Sequence, residues 1–229
     1  MGKLQGQSSF FVPGPPAMPG EAHKPLVEFL LREVRGETVL DLGGGRGAYS
    51  LELKKAGFDT TVADINEESL AVADKNGLKT KLLEPGEPLQ ENLADTVMMI
   101  EVLEHVPHPV EFLKAAIGAA KKRVLFSLPC TNDFDTLFES GLTYAHIAVS
   151  DHLSHFSYDE MKLLLDGLGV EYSLTMGDYL FPGAGIKLLR NCFTGPLGFL
   201  LMLPFRVLNK LGLIPKRYPS RFYGVIEKR

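Results

Sequence analysis

At 229 residues, 45% hydrophobic and 23% charged, the chain has the composition of one globular domain with a sizeable core, which excludes a disordered or fibrous protein. Two cysteines, Cys130 and Cys192, without paired or Cys/His spacing exclude a disulfide framework and a zinc ribbon. Residues 181–229 hold nine Lys/Arg against one acid, so against an overall −4 the rest of the chain carries −12. That basic stretch is interleaved with Leu and Phe, which argues against nucleic acid as a partner.

Residues 1–20 are rich in Pro and Gly and read as an extension without regular structure. They lack a basic start and an apolar run, and Gly6 breaks the myristoylation pattern, so the chain reads as a cytoplasmic protein without a lipid anchor. Residues 21–36 carry Leu26, Phe29, Leu30 and Val34 on one helical face. A strand follows at 38–42, then a glycine turn and a helix at 48–57. The spacing next predicts a strand at 60–64 and a helix at 66–77 with Asn66 as its N-cap. Strands at 79–83, 96–100 and 122–128, helices at 109–120 and 157–167, and closing strands at 170–176 and 221–227 complete the reading. This alternation predicts an α/β fold with a doubly wound, mostly parallel sheet and ligands at the carboxyl ends of its strands.

The turn after the first strand reads "VLDLGGGRG" (39–47). Gly43, Gly44 and Gly45 let a ligand approach bare backbone, but the glycine spacing alone does not say which ligand. Asp41 adds chemistry. A carboxylate facing the ligand space there would repel a pyrophosphate and suits a ligand with ammonium and sulfonium charges. Asp64, closing the second strand, is placed to hold both hydroxyls of a ribose; its alternative is a solvated strand end.

Together with "EVLEHVPHP" (101–109) and "DHLSHFSYDEMKLLLDGLG" (151–169), this turn resembles the class I methyltransferases that depend on S-adenosylmethionine (SAM), in particular the group that includes quinone-biosynthesis and glycan methyltransferases. The resemblance implies a seven-stranded Rossmann-like sheet and SAM as cofactor. It places Gly43, Gly44 and Gly45 along the methionine portion, Asp41 near its amino group and Asp64 on the ribose. Ile65 would lie against the adenine, Glu84 or Glu87 near its amine, and Glu101 at the methionine end through its backbone.

Methyl transfer from a sulfonium is an in-line displacement whose leaving group the cofactor supplies, so it requires alignment and no metal. An acceptor hydroxyl would gain from a base, for which His105, His146, His152 and His155 are the candidates, with Asp151 able to orient His152 or His155. Ser157 and Glu160 read as a capping box at the next helix. The long stretch 129–156 is suited to cover the acceptor.

The chain thus divides into an extension (1–20), a methyltransferase core (21–180), an apolar basic insertion (181–219) and a final core strand (220–229). Between the last two strands the family normally has only a short connection. Three readings of the insertion stay open: contact with an anionic membrane or a lipid-linked acceptor, a helical cap, or a homodimer interface. The function expected is O-methylation of a small or lipid-linked acceptor. The alternatives are a nicotinamide-dependent oxidoreductase and a SAM-binding partner subunit without activity.

Overall fold

The computed structural model describes residues 22–84, 88–132, 137, 147, 151–180, 203–204, 207–208, 211, 213 and 218–228. Its elements follow the expected alternation: α1 (Lys24–Glu33), β1 (Thr38–Leu42), α2 (Ala48–Lys55), β2 (Asp59–Asp64), α3 (Glu67–Lys75), β3 (Lys79–Leu82) and β4 (Ala94–Ile100). A single 3-10 turn (Leu103–His105) precedes α4 (Pro109–Ala119) and β5 (Ala120–Pro129). Then come α5 (Tyr158–Leu168), β6 (Glu171–Leu180) and β7 (Tyr218–Glu227).

The seven strands form one sheet in the order β3-β2-β1-β4-β5-β7-β6. β1 to β5 pair in parallel, and β7 runs antiparallel between β5 and β6. The mostly parallel, doubly wound sheet is therefore the one expected. One boundary differs. Ala120, expected to end a helix, opens β5 directly, because it pairs with Ala94 at the start of β4.

Strands buried on both faces need apolar side chains on both. In β4, Val97 and Met99 join Leu113 and Ala116 of α4 and Met161 and Leu165 of α5 in one cluster. Met98 and Ile100 point the other way, into a second cluster with Leu26, Phe29 and Leu30 of α1. The edge strand β3 exposes Lys79, and this charge guards an otherwise unpaired edge. At the amino end of β5, the buried Arg123 pairs with Glu33 at 2.9 Å and bonds Glu227 Oε2 at 3.0 Å, tying α1 and β7 to β5. Cys130 is buried and its thiol donates to Asn132 Oδ1 at 3.3 Å, while Cys192 lies outside the described residues.

Both expected caps form. The Asn66 side chain accepts from the Ser69 amide at 2.8 Å. Ser157 and Glu160 make a full capping box at the start of α5. Ser157→Ala removes an acceptor for an otherwise unpaired amide and should cost about 1 kcal/mol, read as a lower urea midpoint at unchanged slope.

Candidate functional site

The strand order reverses between β1 and β4, and such a switch point opens a crevice at the carboxyl ends of the strands. The period of two along β1 sets Val39 and Asp41 on the face covered by α1 and α2, with Leu40 and Leu42 on the other. Asp41, expected from the sequence to face the ligand space, is instead buried. It is 2% exposed, accepts a hydrogen bond from the Ser50 hydroxyl at 2.8 Å, and lies directly under Gly44, where a Cβ would collide with its carboxyl group. Burial pushes its pKa up to about 7; the Ser50 bond acts against this and the charge of Asp64 adds to it.

Asp64 closes β2 and binds two turns at once. Its Oδ2 accepts from the Gly45 amide at 2.8 Å and its Oδ1 from the Asn66 amide at 2.9 Å. A carboxylate has about four acceptor directions, so about two remain for other donors. Gly45, at φ +54°, has nothing of the described residues but that carboxylate within 4.0 Å of where a Cβ would stand. Bare backbone there meets open space, not packed side chains. Gly43 is fixed beside it by its amide bond to the Ala63 carbonyl at 2.7 Å.

Ile65 follows Asp64 and is half-buried, and Glu84 is exposed just past β3. The Leu83 amide bonds the Asp64 carbonyl at 2.9 Å, so Glu84 leaves the sheet beside Asp64 and Ile65. Glu87 lies outside the described residues. Glu101, immediately after β4, adopts φ +56°, a left-handed conformation that is costly for a residue with a side chain. Its oxygens are held by the Ser127 hydroxyl at 2.8 Å and by Arg221 Nε at 3.1 Å. Arg221 also reaches Asp178 Oδ2 at 2.8 Å.

The three histidines gather just beyond this point, and His146 lies outside the described residues. His105 and His152 meet edge to face with ring centroids 4.9 Å apart, and the His155 centroid lies 6.3 Å from that of His152. His152 and His155 line one small cavity with Glu104, Leu128, Thr131 and Phe156. The Leu153 and Ser154 amides both bond the Glu104 carbonyl, at 2.7 and 3.1 Å, and so fix the histidine loop over the 3-10 turn.

Asp151 orients His105. The Asp151 carbonyl lies 2.9 Å from His105 Nδ1. A carbonyl can only accept, so Nδ1 carries the hydrogen and the neutral ring leaves Nε2 as a lone pair. That nitrogen lies 4.0 Å from Glu104 Oε1. Glu104 is 2% exposed, and neither of its carboxyl oxygens has a hydrogen-bond partner among the described residues. Burial first, then the charge of Glu101, holds its pKa well above the usual carboxylate range. In the sequence Glu104 is marked only by its place in EVLEHVPHP, within four residues of Glu101 and His105.

Comparison with known proteins bears on this geometry. A family model described as a methyltransferase domain matches residues 17–173, more than half of the chain. Curated relatives called ubiquinone biosynthesis O-methyltransferase include one from Hydrogenovibrio crunogenus, 35% identical over 115 residues (44% of this chain, 48% of that protein). Another, from Vibrio parahaemolyticus, is 30% identical over 146 residues (57% of this chain, 62% of that protein). The chain thus matches about half to three-fifths of the length of these relatives. Among solved structures, a SAM-dependent methyltransferase from Archaeoglobus fulgidus superposes with a TM-score of 0.62 at 17% identity, covering 90% of this chain and 94% of that one. Magnesium protoporphyrin IX methyltransferase from Synechocystis, crystallised with S-adenosylhomocysteine, superposes at 0.56 with 16% identity, covering 89% and 80%. These two share the fold.

The buried Asp41 makes stability depend on pH. Because its folded pKa is raised, its contribution is complete below its unfolded value near 4 and is lost as pH rises through about 7. Asp41→Asn has no proton to lose there. The stability of the native chain relative to Asp41→Asn should therefore fall between pH 4 and pH 8 in urea titrations, and a constant difference would contradict the burial of this carboxyl group.

Proposed function

The chain belongs to the methyltransferase-domain family, and from that premise we propose that it transfers the methyl group of SAM to an oxygen of a small acceptor. One observation carries the cofactor assignment. Asp64 locks the glycine turn through the Gly45 amide, keeps acceptor directions for a ribose, and leaves open space beside Gly45 for the nucleoside to enter. The amino and sulfonium charges of the cofactor would lie over Gly44 and the buried Asp41, with Ile65 and Glu84 on the adenine side and Glu101 at the methionine end. A cation over Asp41 favours its ionised form, so cofactor binding and deprotonation of this carboxyl are linked.

The acceptor enters from the histidine side, at the ends of β4 and β5. His152 and His155 line one small hollow with Phe156 and Leu128, so imidazoles that can meet a hydroxyl stand beside apolar side chains that can meet the body of an acceptor. A histidine takes the hydroxyl proton, the oxygen attacks the methyl carbon in line with sulfur, and the carbon–sulfur electron pair stays on S-adenosylhomocysteine. Oxygen as the methylated atom is supported by the names of the curated relatives.

A lipid-linked acceptor at a membrane surface is favoured by the insertion. Leu203, Val207, Leu208 and Leu211 recur at helical spacing, and with Leu213 they are 39–67% exposed. Exposure of this size speaks against a cap packed on the core. Arg206, Lys210, Lys216 and Arg217 surround these residues in sequence, the pattern of a segment lying on anionic lipid. Among the described residues no helix is long and apolar enough to cross a membrane.

Asp64→Ala should weaken SAM by more than about 1 kcal/mol in calorimetry, through loss of charged hydrogen bonds. Gly45→Ala should weaken it too, by occupying the open space, and native affinity in both variants refutes the cofactor placement. The acceptor is sought by incubating the chain with labelled SAM and cell extract, where label in a lipid fraction is the expected result. Co-sedimentation with phosphatidylglycerol vesicles, lost on deleting residues 196–214, is expected of the insertion; a full chain that never sediments removes the membrane reading.

A further inference from the structure

We propose that Arg221 of β7 is a positioning residue for the amino-acid arm of the cofactor: it grips the Glu101 side chain and so holds the Glu101 backbone in the shape that receives that arm. This rests on the methyl-transfer reading above and deepens it.

A residue with a side chain keeps a left-handed backbone only where its surroundings impose it, and such residues gather at functional sites. Among the described residues three do so without being glycine: Asn92, Glu101 and Asp178. Arg221 holds two of them. Its Nε lies 3.1 Å from Glu101 Oε2, and its Nη1 donates to Asp178 Oδ2 at 2.8 Å. The period of two along β7 sets Arg221 with Tyr223 and Val225 on the face covered by α1, the face that Asp41 occupies in β1. The Tyr49 hydroxyl of α2 feels the charges of Arg221, Glu101 and Asp41, so all three stand within reach of it.

Ser127 takes up most of what Arg221 leaves of Glu101. Its hydroxyl donates to Glu101 Oε1 at 2.8 Å, and its carbonyl accepts from the Glu101 amide at 3.1 Å. The Glu101 carbonyl is left over, with no donor among the described residues. A carbonyl accepts, and the amino group of the cofactor donates.

Arg221 fixes its own end as firmly. β6 and β7 pair Gly177 with Arg221 and Tyr179 with Pro219, while Asp178 stands between at φ +51° with its carbonyl accepting from the Ser220 hydroxyl at 2.8 Å. Asp178 Oδ2 also lies 3.5 Å from His23 Nδ1, just ahead of α1. A guanidinium is a rigid fork that can serve two carboxylates at once, where a lysine offers a single point charge. The last strand thereby reaches across β5 and sets the backbone at the end of β4.

The test is calorimetry of the full chain with two thioethers, S-adenosylhomocysteine and 5′-methylthioadenosine, of which the second has the nucleoside without the amino-acid arm. Arg221→Ala should weaken the first about tenfold or more and leave the second unchanged. Glycine takes a left-handed shape without needing a side chain to be held, so in a Glu101→Gly background Arg221→Ala should cost less than about twofold. If Arg221→Ala does not fold, Arg221→Lys carries the same comparisons, because it keeps the charge and loses the fork. Equal weakening of both ligands overturns the inference, since it marks general damage to the fold. Unchanged affinity for both overturns it too, as does a loss that persists in full with Glu101→Gly, which would mean that Arg221 touches the arm directly. A native chain that binds neither thioether instead refutes the cofactor reading, and the inference falls with it.

Discussion

One carboxylate fastens two turns that come from different strands. Asp64 holds the Gly45 amide of the turn after β1 with one oxygen and the Asn66 amide of the turn after β2 with the other. Without a common acceptor, the glycine turn would have little to fix it, since glycine gives backbone freedom and contributes no packing. With it, the turn becomes a rigid floor at the place where the strand order reverses. The sheet sets where the floor lies, through the parallel pairing of Asp41 with Val62 and of Leu42 with Ala63. The Gly43 amide then continues that register by bonding Ala63.

The charge of this floor follows from the same packing. Asp41 is forced under Gly44 by the alternation of β1, and only the Ser50 hydroxyl relieves it. Asp64 stands nearby, Glu101 follows β4, and Glu104 lies a turn beyond with no hydrogen-bond partner for its carboxyl group among the described residues. Four carboxyl groups thus collect at the carboxyl ends of three adjacent strands. Arg221 neutralises part of this through Glu101. Burial holds Asp41 and Glu104 toward their protonated forms, and a cationic ligand beside either would favour the ionised one.

Much of the fold was legible in the sequence, because its signals are local. Apolar runs of five to seven residues, Gly-terminated helices and the Asn66 and Ser157 caps depend on neighbours within a turn or two. The cofactor side was legible for a similar reason: Asp41, the glycines and Asp64 belong to one strand–turn–helix–strand unit. What stayed hidden depends on distant contacts. The burial of Asp41 requires Ser50 and Gly44 to close over it. The orientation of His105 comes from Asp151, 46 positions away. Nothing local marks Arg221 as the partner of Glu101, or Glu104 as a carboxyl group left without one.

The two sides of the crevice are held by different contacts. On the β1–β2 side, the binding surface is backbone locked by a carboxylate, rigid before any ligand arrives. On the β4–β5 side it is a loop of histidines tied to the Glu104 carbonyl by the Leu153 and Ser154 amides, to His105 by the Asp151 carbonyl and to the Thr131 amide by the Phe156 carbonyl. A surface fixed before its ligand arrives binds with little ordering cost, and both sides of the crevice have such fixings. Glu104 connects the two sides, since its backbone anchors the loop while its carboxyl group feels the charge of Glu101. One residue thus bears, through its carbonyl, on how the histidine loop is held and, through its carboxyl group, on the charge at the end of β4.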